Sequence, residues 1–535
     1  MGSKRSFANL DDDILIAVFG FLDLHSILAL RQTSKRFQAI SQLAVVWRCA
    51  FTTQVVARGY PYPLEALSPS IDAQTLEKIT RRSCRIARFW LDPSTQPCSH
   101  QEFRMKTSTG IYEIRILPEE EHEHWGRKRF LTISKGIWSE ISCWEVGEGL
   151  MPLHKIAEWC PRGAIFTGIA VNSNPHSEGT VAVSLSNGGD QTIQVLSLRV
   201  KGDVVGFEVI KSFQTSYKPV YMEGDILVFS DDAVETYVAD WRTGEAAVLI
   251  GSQASTEHNF QYNKCLKVIF AYESVLVVRA RSIELFPVPT LKPSTEDVPV
   301  YNSLASHSFG WMDGVAIYPQ HQVSSKDARN SASICIVVRS ENDDPWSSDI
   351  HTVHLYHLEV NASYVSSRRA SPELKSINLE MPMNGDSNSA ESSPSPPMES
   401  PPLAPYDFPP THLTSFPSIR GRLRCTDILS GDHGTAIWIQ PRPAHDVSLT
   451  TFDVHSSEAQ VPYRVPVSNA RETLLGAVFP GVLLSSNGES KGNGVRIIAE
   501  RERDSDANWT AMDYDEIRGL VVLGSSDGRI TLLGL

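Results

Sequence analysis

One short pattern contains residue types that could form a hydrolase nucleophile. Residues Gly524 to Gly528 match G-x-S-x-G. In hydrolases this pattern places a serine on a sharp strand-to-helix turn, and an acid and a histidine follow later in the chain. Here it lies between two β-rich runs, and only Arg529 to Leu535 follow it. We therefore interpret it as a hairpin turn and predict no catalytic residues.

A second pattern, the acidic run from Glu119 to His124, contains two histidines that could bind a metal ion. A structural zinc site holds its ion with four ligands in a fixed tetrahedral geometry. His122 and His124 have no third ligand at a useful spacing, and the eight cysteines include no C-x-x-C pair. We predict a solvated loop at this run, and we expect no metal site and no cofactor in the protein.

Four arginines, Arg81, Arg82, Arg85 and Arg88, follow one face of a predicted amphipathic helix. One interpretation is a binding site for an anionic ligand. The other is a solvated helix face, which is the ordinary position of charges opposite an apolar stripe. We favour the solvated face. Pro93 then predicts the end of the helix, because proline cannot continue one.

The segment of about residues 366–412 is rich in serine, proline, asparagine and glutamate. Such a segment cannot bury enough apolar surface to offset its ordering entropy, so we predict a disordered insert. It contains Ser-Pro pairs whose phosphorylation would add about two negative charges per site, at Ser371, Ser393, Ser395 and Ser400. The alternative is an inert linker, and the sequence favours neither interpretation.

The composition indicates an acidic, globular protein of more than one domain. The chain has 535 residues, of which 41% are hydrophobic, enough to bury a large core. Its net charge of −13 opposes binding to phosphate backbones, so we expect no nucleic-acid partner. No apolar run approaches the ~20 residues of a membrane span, and the N-terminus does not resemble a signal peptide. We therefore expect no membrane association, reduced cysteines and a cytoplasmic and/or nuclear location.

From about residue 101 to residue 535, short β-branched and aromatic runs alternate with turn residues. Strand–turn–strand patterns recur, with turns near Gly136, Asn187, Asp231, Arg281, Asn342, Ala444, Asn487 and Asp527. Two of the intervals are 44 residues (231 − 187) and 50 residues (281 − 231). A β-rich period of about 40–50 residues indicates a propeller with one four-stranded blade per repeat. The eight turns allow seven or eight blades, and a sandwich of two large sheets is the rival architecture.

Residues 1–60 predict a small module of three helices, and residues 61–100 predict a helical linker. With the β-rich region, they give an α+β multidomain fold. Ile14, Val18 and Leu22 recur at the i, i+4 spacing of one helical face. Because a unit of under ~60 residues has little core of its own, we expect it to cover its apolar surface against a partner or the rest of the chain.

The same region resembles an F-box over about Phe7 to Phe51. The resemblance rests on an ordered set of residues: Leu10, Ile14, Leu15, Val18, Phe19, Leu22, Ile27, Leu28, Leu30, the run Thr33-Ser34-Lys35-Arg36-Phe37, Ile40 and the pair Val46-Trp47. Asp11 occupies the place of the usual proline, which in the family helps to contact the adaptor. Phe37 stands in the place of a tryptophan.

The resemblance implies a docking module for the Skp adaptor of cullin–RING ubiquitin ligases. Carried over position by position, it implies adaptor contacts at Leu10, Ile14, Leu15, Val18, Phe19, Leu22, Ile27, Leu30, Phe37 and Trp47. Of these, Phe37 and Trp47 suit internal packing better than contact. The β-rich region in turn resembles the WD-repeat-like propellers that often follow an F-box, on the run Asp240-Trp241-Arg242-Thr243-Gly244.

These features favour a substrate-recognition subunit of an SCF-type ubiquitin ligase. The module would bind the Skp adaptor and through it the cullin, and the propeller would bind a protein target that the sequence does not identify. One alternative is a scaffold that uses the helices for another partner or as an internal brace, which Asp11 favours. The other is an enzyme whose catalytic residues lie on unrelated propeller loops.

Overall fold

The computed structural model describes residues 10–105, 109–118, 128–147, 153–202, 204–252, 263–293, 297–320, 333–341, 350–370, 403–419, 425–441, 472–479, 483, 493–501 and 507–535. These residues form a helical module and a β-propeller. The helices are α1 (Asp12–Phe21), α2 (Leu24–Arg31), α3 (Lys35–Ser41), α4 (Ala44–Phe51), α5 (Ala73–Leu91) and α6 (Ala362–Ala370). A π-helical turn (Thr52–Val56) and a 3-10 turn (Leu64–Leu67) lie between α4 and α5.

The described part of the F-box-like region contains four short helices where three were predicted. The third apolar set divides at Leu43: its N–H closes α3 on the Ile40 carbonyl, and its own carbonyl accepts from Val46 at the start of α4. Side chains cap two of the helices. Asp23 accepts from the Ser26 N–H at the start of α2, and Ser34 accepts from the Phe37 N–H at the start of α3.

The described strands form seven blades, each built on four antiparallel strands. Blade 1 contains β2 (Ile111–Ile116), β3 (Lys128–Lys135), β4 (Ser139–Val146) and β5 (Leu153–Trp159). Blade 2 contains β6 (Ile165–Val171), β7 (Val181–Asn187), β8 (Asp190–Lys201) and β9 (Val204–Gln214). Blade 3 contains β10 (Lys218–Glu223), β11 (Ile226–Ser230), β12 (Glu235–Asp240) and β13 (Glu245–Ile250), with β17 (Lys292–Pro293) and β18 (Val300–Asn302) paired to its outer edge.

The remaining blades complete the ring. Blade 4 contains β14 (Cys265–Ala271), β15 (Ser274–Arg279), β16 (Ser282–Pro287) and β19 (Ala305–Ser308). Blade 5 contains β20 (Trp311–Gln320), β21 (Ser333–Glu341), β22 (Ile350–Leu358) and β23 (Thr411–Ile419). Blade 6 contains β24 (Ile428–Ser430), β25 (Thr435–Pro441), β26 (Glu472–Val478) and β27 (Asn493–Glu500). Blade 7 combines β28 (Trp509–Asp515), β29 (Leu520–Ser525) and β30 (Arg529–Gly534) with β1 (Ser99–Arg104).

The ring closes by pairing the two ends of the β-region. Strand β1 runs antiparallel to β30 from the Ser99–Gly534 pair to the Arg104–Arg529 pair. Apolar side chains of blades 1 and 7 then share one buried cluster, which includes Ile114 and Leu532. The seven blades confirm the predicted propeller and exclude the two-sheet sandwich.

Five of the eight predicted turns, near Gly136, Asn187, Asp231, Arg281 and Asp527, lie between the second and third strands of a blade. The predicted turns at Asn342, Ala444 and Asn487 lie outside the described residues. In chain order, Asn342 and Ala444 also lie between second and third strands, whereas Asn487 lies between β26 and β27, the third and fourth strands of blade 6. Blade 6 therefore carries two turn signals, which explains why the sequence allowed eight blades. The G-x-S-x-G pattern lies in the β29–β30 hairpin, where the Ser525 hydroxyl accepts from the Arg529 N–H at 2.9 Å.

The predicted disordered insert is wrong at both ends. Residues 362–370 form α6, whose Tyr364 hydroxyl donates to Glu273 at 2.8 Å. Tyr406 is buried in the cluster that blades 4 and 5 share, and β23 begins at Thr411. Tyr406 therefore gives the C-terminal end buried surface, and the Tyr364 hydrogen bond ties α6 to blade 4. The four predicted phosphorylation sites lie in residues 371–402, outside the described residues.

The blade topology defines two faces of the propeller. Because each blade is an antiparallel meander, its second-to-third-strand turn lies on one face, together with the connection into the next blade. We call this the front face. The turns between the first and second strands and between the third and fourth strands lie on the opposite face, which we call the back face.

Candidate functional site

Half of the predicted adaptor contacts form the core of the helical module. Leu15, Phe19, Ile27, Phe37 and Trp47 are buried in one cluster. The Trp47 indole N–H donates to the Ser41 carbonyl at 2.7 Å, so even its polar atom is satisfied internally. The structure therefore places Leu15, Phe19 and Ile27, which were predicted as adaptor contacts, in the interior of the module. It also buries Phe37 and Trp47, for which internal packing was the favoured interpretation.

A different set of apolar residues lies at the surface of the module. On α1, Ile14 is 48% exposed and Phe21 is 93% exposed, and Val18 between them is half-buried. Their i, i+4, i+7 spacing places them on one side of the helix, and we call them the α1 stripe. Leu43 and Val45 are also exposed beside the start of α4. The predicted contacts Leu10, Leu22 and Leu30 are half-buried.

Phe21, Leu43 and Val45 were not among the predicted contacts. Phe21 could have been found, because it lies seven residues after Ile14 on the same helix face. Leu22, predicted instead, is the residue at which α1 ends, in an extended conformation. Leu43 and Val45 carried no comparable signal, since they flank a helix boundary that the sequence did not indicate.

The acidic start of α1 is held by an arginine. Asp12 pairs with the Arg36 guanidinium at 2.6 Å, and the same guanidinium donates to the Leu10 carbonyl at 2.5 Å. Asp11 precedes the helix with φ −62° and ψ 152°, and its side chain makes no capping hydrogen bond. Its backbone therefore has the conformation of a proline, which fixes φ near −65°.

Two polar contacts fix the module's internal geometry. The buried Gln54 amide donates to the Leu22 carbonyl and accepts from the Leu24 N–H, both at 2.8 Å, which holds the α1–α2 connection. Arg31 makes a bidentate pair with Glu77 at 2.9 and 2.8 Å, which joins α2 to α5. Both contacts position the α1 stripe relative to α5.

Helix α5 belongs to both parts of the protein. Leu76 and Ile79, in its first half, lie in the core of the helical module. Ile86 and Trp90, in its second half, lie in a cluster with blades 6 and 7. The helix has 19 residues and is therefore about 28 Å long at 1.5 Å per residue. The predicted helical linker therefore contains a continuous helix whose two halves are buried in the module core and in the propeller core.

Trp90 packs between blades 6 and 7. A Cβ at Gly476 of β26 would lie 2.8 Å from the Trp90 ring, so only glycine leaves room for the indole there. On the other side, the Trp90 ring lies 6.1 Å from that of Tyr514 in β28. The Arg496 guanidinium of β27 lies 4.0 Å from the neighbouring Phe89 ring. Burial lowers the pKa of Arg496.

The module lies against the back face of the propeller. Gly519, in the turn between the first two strands of blade 7, would place a Cβ 2.9 Å from Ile86. The equivalent turn of blade 6 contains His433, whose ring lies 6.1 Å from that of Tyr62. His433 also contacts Glu516 at 3.0 Å. The front face is therefore on the side of the propeller away from the module.

Charged residues also meet on the innermost strands, where catalytic groups could lie. Arg115 of β2 pairs with Glu113 at 2.6 Å, and Asp513 of β28 accepts the Ile116 N–H at 2.5 Å. Burial raises the pKa of Glu113 and of Asp513. Because each carboxylate already has a partner, this cluster joins the first strands of blades 1 and 7.

The remaining patterns, the arginine face of α5 and the acidic histidine run, were considered as anion and metal sites. Arg81 and Arg88 are exposed and lie near Glu77 and Asp92, at 3.5 and 4.0 Å, as expected for a solvated helix face. Within the described ranges, no group of three or more His, Cys, Asp or Glu could hold a metal ion, and no helix is long and apolar enough to span a membrane. The run from Glu119 to His124 lies outside them.

Residues 7–53 match the family model described as F-box-like. The curated proteins contain no match to the chain. Among solved structures, the chain is similar to one in the crystal structure of the Chaetomium thermophilum polycomb repressive complex 2, with 11% identity, a TM-score of 0.45, and coverage of 83% of this chain and 98% of that chain. A chain from an active polycomb repressive complex 2 in the basal state has 11% identity and a TM-score of 0.46, with 82% and 98% covered.

Proposed function

Because residues 7–53 are F-box-like and the β-region is a seven-bladed propeller, we propose that the chain is the substrate-recognition subunit of an SCF-type ubiquitin ligase. Its helical module binds the Skp adaptor and through it the cullin, and its propeller binds the target protein. The observation that carries this proposal is the exposed α1 stripe within the F-box-like match. We assign the protein a location in the cytoplasm and/or nucleus.

The chain contributes proximity and no reacting group. A ubiquitin ligase accelerates transfer by holding the target lysine close to the ubiquitin-loaded enzyme. That requires a fixed distance and orientation between the adaptor and the target. Helix α5 supplies both, since its two halves are buried in the module and in the propeller. The target would then be presented on the front face, away from the adaptor.

A non-ligase scaffold is the second candidate, and two observations favour it. Asp11 replaces the family proline, and the module shares a helix with the propeller, as an internal brace would. In that case, the α1 stripe binds another partner or none.

The deciding experiment measures the affinity of the purified full chain for a purified Skp adaptor by isothermal titration calorimetry. We expect Ile14→Asp to weaken binding by at least about tenfold, or ~1.4 kcal/mol, because a charge would enter an apolar interface. The matched control is Ile137→Asp, which changes an exposed isoleucine on the propeller. Leu15→Asp is unsuitable, because Leu15 is buried and its change would disturb the core.

The outcomes separate the two candidates. Loss of affinity in Ile14→Asp alone supports the adaptor-binding proposal. No affinity in the unchanged chain favours the scaffold. Undiminished affinity in both Ile14→Asp and Phe21→Asp would show that the adaptor does not bind the α1 stripe.

A further inference from the structure

Exposed apolar side chains gather on the front face where blades 1 and 2 meet. Ile137 is 90% exposed and Trp138 is 42% exposed in the β3–β4 turn. Ile165, at the start of β6, and Tyr112, at the start of β2, are also exposed. We call these four residues the front-face patch. Isolated exposed apolar residues are ordinary, but a cluster on one face of a propeller indicates a contact surface.

Hydrogen bonds hold the patch in one shape. The Ser139 N–H donates to the Ala164 carbonyl at 2.9 Å, and the Ser139 hydroxyl accepts from the Phe166 N–H at 3.0 Å. These bonds tie the turn that bears Trp138 to the strand that bears Ile165. A partner would therefore meet a preorganised surface, with little ordering cost on this side.

Positive charge borders the patch. The Lys135 ammonium lies 3.2 Å from the centroid of the Tyr112 ring, and Arg162 is exposed in the connection that leads to Ile165. Among the described residues, the structure pairs neither cation with a carboxylate. Two nearby carboxylates, Glu140 and Glu158, share the Lys155 ammonium at 2.8 and 2.5 Å.

One carboxylate lies in the adjoining turn of blade 2. That turn begins at Asn187, whose side-chain oxygen lies 3.3 Å from the position of a Cβ on Gly163, and it ends at the exposed Asp190. Lys135 and Arg162 are therefore the two cations of this border that the structure pairs with no described carboxylate, so acidic side chains of a partner can bind them.

We propose that the front-face patch binds an extended peptide segment of the target protein, in which an apolar anchor is flanked by acidic side chains. The anchor covers Ile137 and Trp138, and the acidic residues lie against Lys135 and Arg162. This inference rests on the proposed function, since it names the surface and the peptide chemistry by which the propeller holds its target. The back-face module leaves this surface open, so both partners bind at once.

The test uses the full chain and three fluorescein-labelled hexapeptides in anisotropy titrations at low salt. The first is Glu-Asp-Leu-Phe-Asp-Glu, the second replaces the acids with lysines, and the third replaces Leu-Phe with Ser-Gly. We expect the first to bind at least about tenfold more tightly than the other two. We also expect Ile137→Asp and Trp138→Ala each to weaken it by about tenfold. Lys135→Glu combined with Arg162→Glu should reverse the preference toward the basic peptide.

Because Ile137 and Trp138 are exposed, their variants should keep the melting temperature of the unchanged chain. Equal affinity for the acidic and basic peptides, or binding that survives both patch variants, would overturn the proposal. So would a concentration-dependent dimer that Ile137→Asp dissolves, because the patch would then bind a second copy of the chain.

The two proposals fail in different experiments. If Ile137→Asp loses the acidic peptide but keeps the Skp adaptor, both proposals are supported. If the unchanged chain binds the acidic peptide through the patch but does not bind the adaptor, the ligase role is lost and the patch remains a peptide-binding surface. If it binds the adaptor but none of the peptides, the patch proposal is lost alone.

Discussion

The helical module needs α5 to enclose its core, whereas the propeller closes its ring with its own strands and takes side chains of α5 only at blades 6 and 7. In the module, α1 to α4 enclose Trp47 only with the help of Leu76 and Ile79 from α5. In the propeller, each blade is covered by its neighbours, and β1 closes the ring on β30. A small unit has too little interior to be self-sufficient, so the module depends on α5, which joins it to the blades.

The two regions also differ in their proposed binding surfaces. The module presents apolar side chains on a helix, at Ile14 and Phe21, and a helical partner could cover such a stripe. The propeller presents Ile137 and Trp138 on a turn between strands, where loops carry binding residues on a rigid scaffold. The two surfaces can therefore change independently, while α5 keeps the distance between them fixed.

Removing the Trp90 side chain is the strongest way to break the connection between the two regions. Trp90→Ala would leave a cavity between Gly476 and Tyr514, and we expect a loss of about 3–5 kcal/mol in the free energy of unfolding. Urea unfolding followed by tyrosine and tryptophan fluorescence measures it. Hydrogen exchange should show the loss in blades 6 and 7 and in α5 together.

Trp138→Ala is the matched control, because it removes the same side chain from an exposed turn. Its free energy of unfolding should change by less than about 0.5 kcal/mol. If Trp90→Ala were as mild as this control, the shared-core description of α5 would be wrong.

A smaller effect on the free energy of unfolding is expected when the pH is lowered, because of His354 in blade 5. Burial, and secondarily His412, lowers the pKa of His354 in β22, and the two ring nitrogens lie 3.4 Å apart. The unfolded chain, in which histidine titrates near pH ~6.5, then binds more protons than the folded chain. The free energy of unfolding should therefore fall as the pH decreases through this value.

His354→Gln should reduce that slope, as measured by urea unfolding between about pH 5 and pH 7.5. Tyr356→Phe, on the same strand beside His354, should leave the slope in place, because it changes no group that titrates in this range. A slope that His354→Gln leaves unaltered would assign the acid sensitivity to another group.

Local residue patterns in the sequence were sufficient to predict several turns of the propeller. Asn187, Asp231 and Asp527 mark second-to-third-strand turns, because glycine, asparagine and aspartate favour these conformations wherever they occur. The blade count could not follow from them, since Asn487 gives the same signal in the segment between the third and fourth strands of blade 6. Counting turns requires knowing which strands they join.

The site was harder to predict than the fold. The apolar spacing of α1 identifies a helix face but does not distinguish the buried Leu15 from the exposed Ile14, because the neighbouring helices decide which side is covered. The position of Trp90 depends on Gly476, which is 386 residues later in the chain (476 − 90). Contacts at that separation have no signature in the local pattern, so α5 was predicted as a linker.

The smallest expected effect concerns Asp11 and bears on how well the module docks. Its φ of −62° already matches proline, so Asp11→Pro should change the free energy of unfolding by no more than about 1 kcal/mol. If the family proline contacts the adaptor, the variant should bind the Skp adaptor about threefold more tightly, equal to ~0.7 kcal/mol by calorimetry. Asp11→Ala removes the carboxylate without adding a proline ring, so it shows which of the two changes alters adaptor affinity. Weaker binding in both variants would instead make the Asp11 carboxylate itself a contact, and the departure from the family pattern would then mark a different partner for the α1 stripe.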